Sequence, residues 1–204
     1  ALMLQHHFIK SAKKNPEKIA FIDRSTKRDI SYGQALLASL ILARRFRKLE
    51  RGRIGIMMPT SSGGALAITG ALMGRRTPVL INYSTGAEKN CRYAQQQCDF
   101  KTIITTRLLL EKTGCPEFPE MIFIEDIMNG LSKYEKAAAF LKSKCPEKLL
   151  IYLSGRHNLD LPAVILFTSG SEKDPKVVQL TQRNLLSNIE SFSDMMEIAD
   201  MDNV

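Results

Sequence analysis

The residues best suited to chemistry lie together in "FTSGSEKDPK", positions 167–176. Thr168, Ser169 and Ser171 bring hydroxyls, Gly170 lets a ligand come close to the backbone, and Lys176 brings a point charge. Successive backbone N–H groups in such a small-residue loop can form a concavity that binds anions. The pattern suits the β- and γ-phosphates of a nucleotide. Two familiar phosphate signatures are absent. No second glycine precedes Lys176 as G-x-x-x-x-G-K-[ST] demands, and no G-x-G-x-x-G occurs. A bare Thr-Ser-Gly-Ser is by itself a common loop.

The elements that must hold this loop are legible around it. An apolar run at 163–168 predicts a buried strand before the loop, and 177–181 predicts another after it. Thr181 is placed to cap a helix over 182–196. Upstream, continuous apolar runs predict strands at 19–23, 54–58, 77–81, 102–105 and 121–124, since strands buried on both faces do not alternate. Helical periodicity fills the gaps at 32–49, 62–73, 87–97 and 133–144. The first is the clearest, with Ser31 and Gln34 forming a capping box and Ala35, Leu36, Ser39, Leu40, Ala43 and Phe46 recurring every three or four residues. The segments 110–119 and 145–162 read as connections, with the apolar "LLIYL" of the second as a further strand. Alternation of strands and helices predicts an α/β fold in three layers, a mainly parallel sheet flanked by helices.

Composition narrows the class. The chain has 204 residues, 44% hydrophobic and 25% charged, ordinary for a folded domain. No apolar run reaches the roughly 18–20 residues that span a bilayer, and "ALMLQHHFIKSAKK" lacks the long apolar region of a secretory signal. The four cysteines, Cys91, Cys98, Cys115 and Cys145, have no metal-ligand spacing. Cys91 and Cys98 share a helix face, as buried thiols do, and a cytoplasmic protein is expected. His6 and His7 are neighbours that point different ways on a helix, and Met57 and Met58 fall on a strand as core packing.

Charge is uneven. Residues 1–53 hold thirteen Lys/Arg and four Asp/Glu, or +9; residues 54–204 hold sixteen and seventeen, or −1. Such a region, with "ARRFRKLERGR" at its centre, is either a solvated helix face or an attractor for an acidic protein or an anionic membrane. Only Phe46 interleaves with it, so nucleic acid is not an expected partner.

The loop and its continuation carry a resemblance. "FTSGSEKDPKVV" resembles the phosphate motif of the adenylate-forming superfamily, [FY]-T-S-G-[ST]-T-G-x-P-K-G-V, which includes acyl-CoA synthetases, adenylation domains and luciferases. Phe167, Thr168, Ser169, Gly170, Ser171, Pro175, Lys176 and Val178 match. "LTQRNLLSNI" is similar to the family's "LTHRNLLANI". "GALMGRRTPVLINYSTGAEKN" (70–90) and the Ser-Glu of "TSGSE" are similar to acyl-acyl-carrier-protein synthetases and 2-acylglycerophosphoethanolamine acyltransferases, and "DISYGQALLASLILARRF" to the family's S-Y-x-x-L helix. Lys173 and Val177 depart from the pattern, each standing where the family has glycine. A non-glycine needing positive φ costs on the order of 1 kcal/mol; Lys173 adds charge for phosphate, whereas Val177 narrows the backbone's approach.

The resemblance implies an enzyme that activates a fatty acid with ATP and Mg²⁺. Carboxylate attack on the α-phosphorus gives an acyl-adenylate, and the thiol of acyl carrier protein or coenzyme A takes the acyl group, feeding phospholipid acylation. It implies nucleotide-binding roles for Thr168, Ser169, Gly170, Ser171, Glu172, Lys173 and Lys176, with no metal ligand among them. No Y-G-x-T-E segment, ribose-binding aspartate motif or C-terminal domain with its lysine is found, so residues 1–204 are expected to be the first part of the large N-terminal domain. They hold no catalytic residue and are not expected to act alone. The other class is a degenerate adenylating fold, a scaffold that docks an acidic carrier protein or, at the inner face of the membrane, anionic lipid through residues 1–53.

Overall fold

The computed structural model describes residues 2–23, 27–155, 158–168 and 174–188. The chain opens with helix α1 (Leu4–Lys14), then strands β1 (Ile19–Asp23) and β2 (Arg28–Ser31), which pair antiparallel as a separate two-stranded sheet. Helix α2 (Tyr32–Phe46) and strand β3 (Gly52–Ile56) lead to α3 (Ser62–Met73), β4 (Arg76–Leu80), α4 (Ala87–Cys98) and β5 (Ile103–Thr105). Then come α5 (Arg107–Thr113), β6 (Met121–Phe123), α6 (Ile124–Asn129), α7 (Lys133–Ser143) and α8 (Glu147–Leu153). Strands β7 (Pro162–Thr168) and β8 (Lys176–Thr181) and helix α9 (Gln182–Asn188) complete the described chain.

The main sheet has six strands in the order β6-β5-β3-β4-β7-β8. All neighbours are parallel except β7 and β8. Side chains alternate across it, so each strand feeds two layers. Met57, Val79, Ile81, Ile103 and Ile165 pack under α4 against Ala87, Cys91, Ala94 and Cys98. Ile54, Ile56 and Ile104 pack on the other face against Leu42, Phe46, Ala67 and Ala71 of α2 and α3. The predicted three-layer, mainly parallel α/β architecture is the one observed. Strands keep their predicted places with ends moved by one or two residues, the scatter expected where an element frays.

Local chemistry explains the helices. Ser31 Oγ accepts from the Gln34 N–H at 3.2 Å while Gln34 Oε1 accepts from the Ser31 N–H at 3.0 Å, the reciprocal capping box read from sequence. The helix stops at Phe46, three residues short of the expectation, and a turn follows. Gly70 lets α2 and α3 approach closely: a Cβ there would sit 2.7 Å from Leu42 Cβ. Cys91 and Cys98 are buried on one face of α4, as their spacing implies.

Several segments differ from expectation, among them β2 and α6, for which no element was predicted. "LLIYL" is not a strand but most of α8; its Leu150 and Ile151 seal the core between α1 and α2 while Leu149 and Tyr152 face solvent. A short apolar run fits either element, and Pro146 followed by Glu147 starts a helix. Within 110–119, α5 extends to Thr113; Thr106 Oγ1 accepts from the Leu109 N–H at 3.2 Å and Gly114 closes the helix at φ +68°. Helix α1, on which His6 and His7 were placed, was given no bounds from sequence although Leu4, Phe8, Ile9 and Ala12 share its buried face. The helix predicted over 182–196 is described to Asn188, and its remainder lies outside the described residues.

Candidate nucleotide-phosphate site

The "TSGS" segment hangs from the C-terminal end of β7, at the edge where the parallel strands all end. Sheets of this class bind ligands outside the carboxyl ends of their strands. Thr168 lies opposite Lys176 and Phe167 opposite Val177 in the antiparallel pair. Directly opposed residues share a face, so Thr168 and Lys176 stand together on one side and Phe167 and Val177 on the other. The fold thus unites two predicted site residues eight positions apart. Ser169, Gly170, Ser171, Glu172 and Lys173 lie outside the described residues.

The neck of this pair is braced from α4. Phe167 meets Tyr93 edge-on, with ring centroids 5.8 Å apart, and the Tyr93 hydroxyl donates to the Pro175 carbonyl at 2.8 Å. One side chain therefore fixes both strands of the neck. Val177 is a paired strand residue, 37% exposed, on the side away from Thr168 and Lys176. A β-branched residue suits that position, and its side chain does not enter the face that the two site residues share.

Beside the neck runs the loop that follows β4. Val79 pairs with Ile165, so two residues on Ile81 reaches the level of Phe167, and Asn82 follows. Asn82 Oδ1 accepts from the Ser84 N–H and hydroxyl, both at 2.8 Å, an Asx turn. Asn90 Nδ2 donates to the Asn82 carbonyl at 2.9 Å and the Thr85 carbonyl at 2.8 Å. Gly86 takes φ +64° to begin α4. Residues 82–86 thus form a loop tied by Asn90 to the first turn of α4, beside the end of β7. Tyr93, Asn82 and Asn90 were not singled out from sequence. Asn-Tyr-Ser signalled an Asx turn, whereas nothing local marked Tyr93, whose partners are 74 and 82 residues away.

At the opposite edge several basic residues are bonded within the fold. Arg47 Nη2 donates to the carbonyls of Met73 at 2.9 Å and Leu153 at 2.8 Å, at the ends of α3 and α8. Arg76 Nη2 donates to the carbonyls of Arg47 and Leu49, both at 3.1 Å, and Arg53 Nη1 to that of Cys98 at 2.8 Å. Arg45 pairs with Glu135 at 2.8 Å. Helix C-termini carry unpaired carbonyls and partial negative charge, which arginine satisfies. Three cations of the "ARRFRKLERGR" run, Arg45, Arg47 and Arg53, therefore serve structure, and its Phe46 is fully buried.

Cys91, Cys98 and Cys115 are not poised as nucleophiles. Burial, with Cys115 adding to it, pushes the Cys91 thiol up to about 12, and burial raises Cys98 and Cys115 too. His6 is buried and accepts from the Met3 N–H at 3.1 Å through Nδ1, a helix-start contact. Met57 is buried in the core as expected and Met58 is partly buried, but both lie just past the end of β3 rather than on it. Among the described residues no helix is long and apolar enough to cross a membrane, and no three His, Cys, Asp or Glu side chains gather as a metal site would need.

Comparison with known proteins agrees with this fold. The fold is similar to the N-terminal domain of FACL13 from Mycobacterium tuberculosis, inhibitor-bound, at 17% identity and TM-score 0.64 over 93% of this chain and 49% of that one. A luciferase-like enzyme from the nonluminescent mealworm Zophobas morio matches at 18% identity and TM-score 0.66, over 91% of this chain and 44% of that one. The nonribosomal peptide synthetase FmoA3 in its AMPPNP-bound form matches at 16% identity and TM-score 0.65, over 90% of this chain and 18% of that one. The chain thus spans less than half the length of each. Residues 8–204 match the AMP-binding enzyme family throughout, and the chain belongs to that family.

Proposed function

We propose that this chain is the phosphate-binding first part of the large domain of an enzyme that activates a fatty acid as its acyl-adenylate and passes it to the thiol of acyl carrier protein or coenzyme A. The observation that carries the reading is the braced neck: Thr168 and Lys176 side by side at the sheet's carboxyl edge, at the two ends of "SGSEK". Lys176 brings an ammonium and Thr168 a hydroxyl to one face, which suits the β- and γ-phosphates of ATP. ATP with Mg²⁺ supplies the electrophilic phosphorus and the pyrophosphate leaving group. Repulsion between a carboxylate and a polyphosphate is the barrier that fixed cations and N–H donors lower. Within this chain that work falls to Lys176, Thr168 and the hydroxyls and N–H groups of Ser169 to Ser171, with Lys173 adding charge beside Glu172. The fatty-acid and carrier-protein assignment is supported by the likeness of residues 70–90 and of "TSGSE" to acyl-acyl-carrier-protein synthetases.

The test is isotope exchange of pyrophosphate into ATP by the full-length protein, with fatty acids of several lengths. Lys176→Ala loses one charge-assisted contact worth about 1.5–3 kcal/mol, so exchange should slow roughly ten- to a hundredfold. An unchanged rate in that variant removes the phosphate role. Absence of ATP binding and exchange in the parent protein favours instead a scaffold for an acidic carrier protein or an anionic membrane.

A further inference from the structure

Between α2 and α7 lies a cavity of about 300 Å³. Its apolar lining includes Leu40, Ile41 and Ala139. Arg44, Arg47 and Lys142 also line it, with Glu135 as the one carboxylate. That carboxylate is already spent: it pairs with Arg45 at 2.8 Å and accepts the Ser132 N–H at 3.0 Å as a helix cap. Three positive charges therefore face one pocket without a counter-charge from its own lining.

Two of the cations are held in place. Arg47 is anchored on the Met73 and Leu153 carbonyls, and Arg44 lies over the Tyr134 ring, 5.3 Å from its centroid. Lys142 has no carboxylate or hydrogen-bond partner among the described residues. Burial, then Arg47 and, after a small opposing effect of Cys145, Arg44 lower its pKa. Like charges crowded beside an apolar floor are unfavourable until an anion joins them. A preorganised set of cations binds such an anion at small ordering cost.

We propose that this α2–α7 pocket binds a phosphate monoester, its dianionic head between Arg44, Arg47 and Lys142 and its organic stem against Leu40, Ile41 and Ala139. Charge count favours a phosphate dianion over a carboxylate, and the apolar floor favours an ester over inorganic phosphate. The ligand is a soluble monoester or the headgroup of an anionic lipid of the same chemistry. The site does not depend on the acyl-activating function.

The experiment uses the full-length protein at constant ionic strength, titrated with butyl phosphate or inorganic phosphate while its melting temperature is followed. A parallel arm measures sedimentation with phosphatidylcholine vesicles with and without phosphatidic acid. Butyl phosphate should stabilise the protein at lower concentration than inorganic phosphate does. Lys142→Gln should need about tenfold more ligand or worse, Lys142→Arg should retain the response, and Lys176→Ala should leave it intact. Response to butyl phosphate alone assigns a soluble ligand; Lys142-dependent sedimentation with phosphatidic acid assigns a lipid. A parent protein that responds to neither, or a Lys142→Gln protein that responds as the parent does, overturns the proposal.

Discussion

The two edges of the main sheet use cations in opposite ways. At the amino edge Arg47, Arg53 and Arg76 donate to carbonyls that end α2, α3, α4 and α8, so they tie those helix ends together. At the carboxyl edge Lys176 stands at the start of β8 opposite Thr168, the last residue of β7. The helices following parallel strands run back against them, gathering helix C-termini at one edge and N-termini at the other. Cations at the first edge tie helix ends together; at the second, Lys176 is the cation proposed to meet an anion. Net charge counts both alike, which is why a total of +8 said little about partners.

The largest effect that separates the edges is expected from Arg47→Ala. It removes two charge-assisted bonds to helix-end carbonyls, so unfolding of the full-length protein by urea should reveal a loss of about 3 kcal/mol. Arg47→Lys should recover only part, because an ammonium lacks the planar fork that holds both carbonyls. Lys176→Ala, by contrast, should leave stability within about 0.5 kcal/mol while slowing exchange. A large stability loss in the lysine variant would erase the distinction between the edges.

Glu50 sharpens the amino edge through pH. Its Oε1 accepts the Thr102 N–H at 2.6 Å and the Lys101 N–H at 3.1 Å, and its Oε2 accepts the Thr102 hydroxyl at 2.7 Å. Burial acts to raise its pKa, but these bonds outweigh burial and hold it below the ordinary 4.5. As acid is added the unfolded chain takes up the proton first. The stabilisation is therefore complete above 4.5 and is lost as pH falls through the lower folded value. Glu50→Gln should cost about 1–2 kcal/mol at neutral pH. It should also flatten the acid limb of a stability-versus-pH curve; a limb of unchanged slope would assign acid sensitivity to other carboxylates.

The smallest effect belongs to the brace of the carboxyl edge. Tyr93→Phe keeps the edge-on contact with Phe167 but removes the bond to Pro175, worth about 1 kcal/mol. Global stability should barely change, while amide exchange at the neck quickens and affinity for ATP weakens a few-fold. Equal protection of the Lys176 amide in both proteins would show that the hydroxyl does not steady the neck.

Much of this molecule was legible because its signals are local. Apolar runs marked the strands, Ser31 with Gln34 marked the start of α2, and "FTSGSEKDPK" marked the carboxyl edge, each from neighbours in sequence. Where a local signal fits two elements it misled: "LLIYL" is helical, with one face, Leu150 and Ile151, buried in the core beside α1 and α2. Long-range choices belong to the tertiary structure. It set Thr168 against Lys176, drew Tyr93 across to Pro175, and turned Arg47 inward to carbonyls 26 and 106 residues away. Which charge meets a backbone carbonyl and which faces a ligand depends on where helices end in space, and residue type alone does not carry that information.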